Sequence, residues 1–505
     1  MRSLATPRRV GAAALGALLL LALVLSLYRY FFPSPARVRL PAEMPLGPGD
    51  SILVIAPHSD DETLGPGGLI HRAVLEGIPV HVVMMTNGDG FTLAAAEEHL
   101  RLHPSPQDYI RLAEERQRET LEALSVLGVP AENVIFLGYP DRGLAPMWTT
   151  HWSPDQPYFS RFTQTSRSPY SNSFTPGALY CGQSAVEDLR RVLLSLKPTV
   201  LVYPHPMDAH PDHYATNAFT NYALQELRDE GYSFANQMRQ YLYLVHRGDW
   251  PAPKGLNLAS SLLPPGPLVH TDTSWFAFTL DHDSSWAKYQ AILRYRSQVR
   301  IMPRYLESFA RKNDLLGTIP AKIIPVVEAG VLRVGGAAAR WADLTPLVQD
   351  PTADTLTRQL EGSADLTTLR LATDGDRLFL RLETRRPVSP RVRYAIRLRT
   401  LAPAQPGRAA DGARARRGDL ELTLRPTFAP VLTGGVGAED DVQFAVDDGS
   451  LEASLPLANL GNPREIFVGA ESFMVVSVDR LAWTLAPLPQ AAWETRGPAP
   501  KGGSR

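Results

Sequence analysis

Cysteine is nearly missing from this chain: Cys181 stands alone among 505 residues. One thiol excludes an internal disulfide framework and a cysteine zinc cage, and it leaves the redox compartment open. Net charge is nearly missing too, with 51 basic residues against 52 acidic ones and a formal balance of −1. That balance gives no electrostatic reason for a nucleic-acid partner. No repeat of fixed period stands out. The composition is otherwise ordinary for a globular protein, 44% hydrophobic and 20% charged. At about 100–200 residues per domain, the length suggests two or three domains.

The amino end carries a location signal. Arg2, Arg8 and Arg9 precede an apolar run from Val10 to Leu27 broken only by Ser26. As a helix rising 1.5 Å per residue, that run spans roughly 27 Å, enough for the hydrocarbon core of a bilayer. "YRYFF" follows with interfacial aromatics. The competing reading is a cleaved signal peptide, with "SPA" at 34–36 as the cleavage site, but that site lies well past an overlong apolar run. Residues 10–32 are therefore expected to form one transmembrane helix. The basic start favours a single-pass protein with its body on the extracytoplasmic side.

After a proline-containing link, strand and helix signals alternate. "SILVIA", "PVHVVMMT", "NVIFLG" and "TVLVYP" read as buried strands. Helical stretches lie near 64–76, along "DYIRLAEERQRETLEALSVLG", and near 184–196 and 212–228. This alternation predicts a Rossmann-like α/β fold, a mostly parallel sheet with helices on both faces. Residues 140–175 read as a long aromatic-rich loop, either a lid or an irregular insertion. From about residue 325 the period changes to two, with turn signals between short strands, which predicts a separate antiparallel β-sandwich. The expected division is 1–44 for anchor and linker, 45–322 for the α/β domain, 323–490 for the sandwich and 491–505 for a disordered tail. The α/β signals are complete before Ile319, so that part is expected to fold without residues 330–505.

Two short stretches carry chemistry. "PHSDDE" follows the first strand, and "YPHPMDAHPDHYA" follows the strand at 199–204. Ligands bind at the carboxyl ends of parallel strands, so both clusters belong on one edge of one sheet. Imidazole and carboxylate together suit zinc, and a catalytic zinc keeps three protein ligands and an open position. His58, Asp61 and His213 can provide that set, leaving Asp60 free to act as a base. Taken singly, each residue has a bland alternative as a helix cap, turn former or satisfied polar group. The joint pattern favours the metal. His205, Asp208 and Asp212 are candidates for supporting positions.

These motifs resemble the first and second motifs of the PIG-L/LmbE-like zinc-dependent de-N-acetylases. "TNGDG", "RQRETLEALSVLG" with Arg116 and Glu119, "YPDRGL" and "KYQAILRYRSQ" near Lys288 agree in order, and the resemblance covers roughly 48–318. Ser59 departs from the proline common at its position. The resemblance implies His58, Asp61 and His213 as Zn2+ ligands, Asp60 as general base, and a protonated His210 that polarises the carbonyl. Arg116, Asp208 and Asp212 would contact the substrate or support the ligands. The implied activity is removal of an acetyl group from an N-acetylglucosamine-type sugar in a glycan or glycolipid. A zinc amidohydrolase of a non-sugar N-acyl amine and an inactive glycan-binding envelope protein are the alternatives. In the sandwich, "RWADL", "ADLTTLRLATDGDRLFLRLE" and "LEASLPLANLG" resemble DOMON and family-nine carbohydrate-binding modules, with Trp341 either core or sugar platform.

Overall fold

The computed structural model describes residues 40–41, 44–98, 103–336, 339–352, 355–401, 420–425, 428–434 and 441–489. The expected anchor at 10–32 and tail at 491–505 lie outside these residues. Among the described residues, no helix is long and apolar enough to cross a membrane.

The first domain is built on seven strands: β1 (Ile52–Ala56), β2 (Val80–Thr86), β3 (Val134–Tyr139), β4 (Val200–Pro204), β5 (Arg239–Tyr243), β6 (Ser274–Thr279) and β7 (Asn313–Thr318). Their spatial order is β3-β2-β1-β4-β5-β7-β6. The first five run parallel, and β7 and β6 add antiparallel at one edge. All five residues of β1 are buried, with Ile52, Val54 and Ala56 in one apolar cluster and Leu53 and Ile55 in another. Helices thus cover both faces, as a continuous apolar strand requires. Strand order reverses between β1 and β4, and a crevice opens at such a switch point beyond the carboxyl ends of the strands. Both sequence motifs start there.

The helix expected near 64–76 is two helices, Asp61–Leu64 and Gly67–Leu75, interrupted at Gly65-Pro66. Gly65 is forced by packing, because a Cβ there would come within 2.4 Å of the Tyr243 ring. The Pro106–Val126 helix starts on a capping box between Ser105 and Asp108, with Pro106 in the first turn. The Pro211–Asp229 helix uses His210 as its cap, with the side chain accepting from the Asp212 amide.

The second domain is a sandwich of two antiparallel five-stranded sheets. One holds β8 (Val348–Gln349), β9 (Leu366–Thr373), β10 (Arg377–Thr384), β14 (Gln443–Asp447) and β15 (Ser450–Pro456). The other holds β11 (Arg393–Thr400), β12 (Leu420–Arg425), β13 (Phe428–Gly434), β16 (Glu465–Phe473) and β17 (Ser477–Pro487). Leu369, Leu380 and Leu382 meet Ile396, Leu398 and Val468 between the sheets. Trp341 is buried against Leu332, Ala372 and Phe379, so it is core and offers no platform for a sugar.

The two domains share apolar surface. The 140–175 segment contains a short helix, Leu144–Thr149, and its Trp148 ring lies 5.2 Å from Phe219, 5.8 Å from Phe467 and 5.4 Å from Trp483. Arg399 donates to the Trp148 carbonyl at 2.5 Å and places its guanidinium 3.8 Å over Trp152. Both tryptophans of this segment therefore serve packing between domains.

Candidate metal centre

Five loops after five parallel strands converge. His58, Asp60 and Asp61 follow β1, Asp89 follows β2, Asp141 follows β3, Asp208, His210, Asp212 and His213 follow β4, and His246 follows β5. In "HPDH", His210 caps the helix and Pro211 occupies the first turn. His213, three residues after the cap, lies one helical turn on and faces β1.

Asp61 Oδ2 is the meeting point, 3.2 Å from His58 Nδ1 and 3.0 Å from His213 Nε2. The opposite ring nitrogens are held from outside. His58 Nε2 lies 3.1 Å from Asp212 Oδ2 and 3.3 Å from Asp141 Oδ1, and His213 Nδ1 lies 3.1 Å from Asp208 Oδ2. Carboxylates on the far nitrogen are the usual way a protein fixes the ring of a metal-ligating histidine. Asp212 is itself pinned by the amides of Arg142 at 2.5 Å and Leu144 at 3.0 Å. Asp208 accepts from the amides of Val245, His246 and His210 at 2.9–3.0 Å.

The donors fit a zinc ion. Among the described residues, Asp61 Oδ1 and both ring nitrogens of His213 are buried without a hydrogen bond of good geometry. Two ligands at zinc distances in a tetrahedral shell stand about 3.4 Å apart, close to the 3.0 and 3.2 Å separations here. Among the described residues, the sets able to converge on an ion are His58, His210 and His213, then Asp61, His213 and His246, then His58, Asp141 and Asp212; the expected trio of His58, Asp61 and His213 is split between them, with Asp61 touching each histidine separately.

Electrostatics follow from burial. Burial opposes charge on His58, but Asp141, Asp212 and Asp61 outweigh it and hold the ring well above its ordinary pKa. His213 is pushed up to about 9 against burial by Asp208 and Asp61. Burial favours a protonated Asp61, yet His213 and His58 hold its carboxyl well below the usual range. Asp60 goes the other way: burial and the Asp61 charge raise it well above the usual range, with Arg116 opposing. Its φ of 117° is left-handed, a strained conformation for a non-glycine residue, and it turns consecutive carboxylates in different directions. His210 is shifted in the direction opposite to the imidazolium that the resemblance implies. Burial and the neighbouring His58, His213 and His246 press its pKa well below the ordinary value. Its Nδ1 accepts from the Asp212 amide at 3.2 Å, which assigns the ring proton to Nε2.

Other expected residues support the frame. Arg116 is buried and donates to the carbonyls of Gly88 at 2.9 Å and Ser59 at 2.8 Å, with Asp60 Oδ2 at 4.0 Å; it clamps the turn that carries Asp60. His205 lies outside the cluster, bonded to Thr273 at 2.9 Å and stacked on Trp275. Glu119 binds the amide and hydroxyl of Ser297, and Lys288 pairs with Asp314 at 2.5 Å in the interior. Asp89, Asp141 and His246 were not singled out from the sequence. Asp89 accepts from the Asp141 amide at 2.8 Å and from Tyr170 at 2.8 Å, and the His246 ring lies 4.6 Å from His213. Each follows a parallel strand by a few residues, the same signal that marked His58.

Fold and site together define an α/β protein with a histidine–aspartate cluster able to hold a metal at its sheet switch point. Residues 53–224 match the family model for PIG-L, GlcNAc-PI de-N-acetylase, and form a PIG-L family domain. The chain is 30% identical over 183 residues to the 1D-myo-inositol 2-acetamido-2-deoxy-alpha-D-glucopyranoside deacetylase of Nocardia farcinica, covering 36% of this chain and 54% of that protein. The enzyme of the same name from a Mycobacterium species is 28% identical over 318 residues, covering 58% and 86% of the two chains. Among solved structures, the N,N'-diacetylchitobiose deacetylase from Pyrococcus horikoshii matches 54% of this chain and 84% of its own, at 19% identity and a TM-score of 0.33.

Proposed function

We propose that the chain is a zinc-dependent hydrolase that removes the N-acetyl group from an N-acetylglucosamine-type sugar. One observation carries this reading: inside a PIG-L domain, His58 and His213 each turn one ring nitrogen to Asp61 while buried carboxylates hold the other. When bound there, zinc supplies a Lewis acid and lowers the pKa of water toward about 7.

The protein groups do the rest. Asp60 lies beside this set without joining it, and its raised proton affinity suits it to take the proton of the attacking water and return it to the leaving amine. Neutral His210 keeps a proton on Nε2 and donates it in a hydrogen bond to the oxyanion that forms from the acetamide carbonyl. One such donor is worth roughly 2.7–4 kcal/mol in other hydrolases. Asp212, Asp141 and Asp208 keep the rings in register, and Arg116 keeps the Ser59–Asp60 turn in place. Metal analysis of the full chain, with release of acetate from N-acetylglucosaminyl glycans, tests the reading. A zinc-loaded protein that releases no acetate from any of them overturns it.

The location belongs to the same proposal. The basic start and the apolar run of residues 10–27 support a single-pass membrane anchor with the enzyme body on the extracytoplasmic side. A carboxyl-terminal reporter active only in the cytoplasm would sink that orientation.

A further inference from the structure

A cleft of about 1090 Å³ lies between the two domains. Met207, Ala209, Arg247 and Trp250 line its α/β side, and Arg358, Ser477, Val478 and Arg480 line its sandwich side. Two of these loops carry the metal centre at the adjacent position, since Ala209 precedes His210 and Arg247 follows His246. The loops are tied to each other where the Ala209 amide donates to the His246 carbonyl at 2.8 Å. The cleft therefore shares these two loops with the histidine cluster, although His210 and His246 do not themselves line it.

Its walls are mostly apolar, and their arginines, Arg247, Arg358 and Arg480, are matched in number by Asp249, Asp350 and Asp479. Arg358 faces Asp350 at 3.2 Å and Asp479 at 2.5 Å. Arg480 donates to the Asp208 carbonyl at 3.3 Å and lies 3.4 Å over the Tyr214 ring, and Arg247 donates to the Met207 carbonyl at 3.1 Å. Apolar surface from Trp250, Leu262 and Val478 is joined by the hydroxyls of Thr352 and Ser477. That mixture matches sugar rings, which have apolar faces and hydroxylated rims. Pockets that enclose a whole drug-sized ligand run to about 300–1,000 Å³, so this volume accommodates several sugar units.

We infer that the inter-domain cleft binds the neighbouring units of a neutral glycan whose N-acetylated sugar occupies the metal centre, so that the sandwich supplies one wall of an extended substrate site. This rests on the N-deacetylase reading, and the test separates the two. The zinc-loaded full chain is assayed on the dimer and hexamer of β-1,4-linked N-acetylglucosamine. The expected ratio of kcat/KM, hexamer over dimer, is about tenfold, or 1.4 kcal/mol of added binding. Ser477→Trp and Thr352→Trp, at exposed positions, fill the cleft and bring that ratio toward one while thermal unfolding stays cooperative. Equal values for dimer and hexamer in the unaltered chain, or an unchanged ratio in both variants, overturn the inference. If neither sugar is hydrolysed, calorimetry with the hexamer decides. Binding that Ser477→Trp weakens keeps the cleft and removes the N-deacetylase reading for this glycan; no binding overturns the cleft as well.

Discussion

Asp208 Oδ2 lies 3.1 Å from His213 Nδ1, and both side chains are buried. The same carboxylate takes three backbone amides, from Val245, His246 and His210, so it fixes the ring and the two loops beside it together. Asp208→Asn would replace one acceptor oxygen by a donor facing N–H groups and would release the far side of His213. The expected result is a 10–100-fold loss of zinc affinity, the usual scale for such a supporting group, with a lower thermal midpoint. Competition with a chelator measures the first and calorimetry the second. Unchanged zinc affinity would show that His213 needs no support.

Asp60 and Asp61 are neighbours with opposite electrostatics, one raised and one lowered. Asp61→Ala removes the atom on which both histidines converge, so bound zinc and activity should fall together. Asp60→Asn should keep its zinc and lose about 10²–10⁴-fold in kcat, the range for a positioned acid–base group. Zinc content and turnover of both variants check this; metal loss from Asp60→Asn with zinc kept in Asp61→Ala would reverse the roles.

Much of this site was legible because parallel strands write themselves plainly: β1 is five buried apolar residues in a row, and the polar residues that break the run must lie at its end. The convergence of "PHSDD" with "HPDH" followed from that rule alone. Asp141 and His246 were harder, because each is a single polar residue after a strand and only the strand order brings it beside His58 or His213. The downward shift at His210 was not legible, since it depends on burial and on histidines from the loops after β1 and β5 as well as on His213 of its own motif. The long segment after β3 lacks a period because its Trp148 and Trp152 answer to the second domain, which no local pattern reports.

That interface bears on how the chain divides. The βα signals end before residue 319 and Ile324 already belongs to the sandwich core, yet Trp148 meets both Phe467 and Trp483, and Tyr222 meets Phe467. A chain ending at residue 329 would expose this aromatic cluster, and we expect it to aggregate, against the expectation of independent folding from strand and helix signals alone. Trp483→Ala should cost roughly 3–5 kcal/mol, as for other buried tryptophans, seen as a lower midpoint in denaturant. A soluble truncation with a cooperative transition would show that the interface is dispensable for the α/β domain.

The same interface carries a pH-sensitive contact. Glu465 accepts from Gln225 at 2.7 Å, and burial together with the charge of Asp229 pushes its carboxyl up from 4.5 to about 7, with Gln225 and Arg228 opposing. A carboxyl that holds its proton more tightly in the folded state favours folding most at low pH. That contribution is complete below the unfolded value of 4.5, declines as pH rises toward about 7, and is absent above it. Glu465→Gln keeps a carbonyl oxygen for Gln225 and offers Asp229 an amide in place of a charge. We therefore expect the variant to melt a few degrees higher than the unaltered chain near pH 8 and at the same temperature near pH 4. Thermal midpoints across that range decide it. A stabilisation that is the same at both ends, or one confined to the acid end, would mean that Glu465 does not titrate in this window.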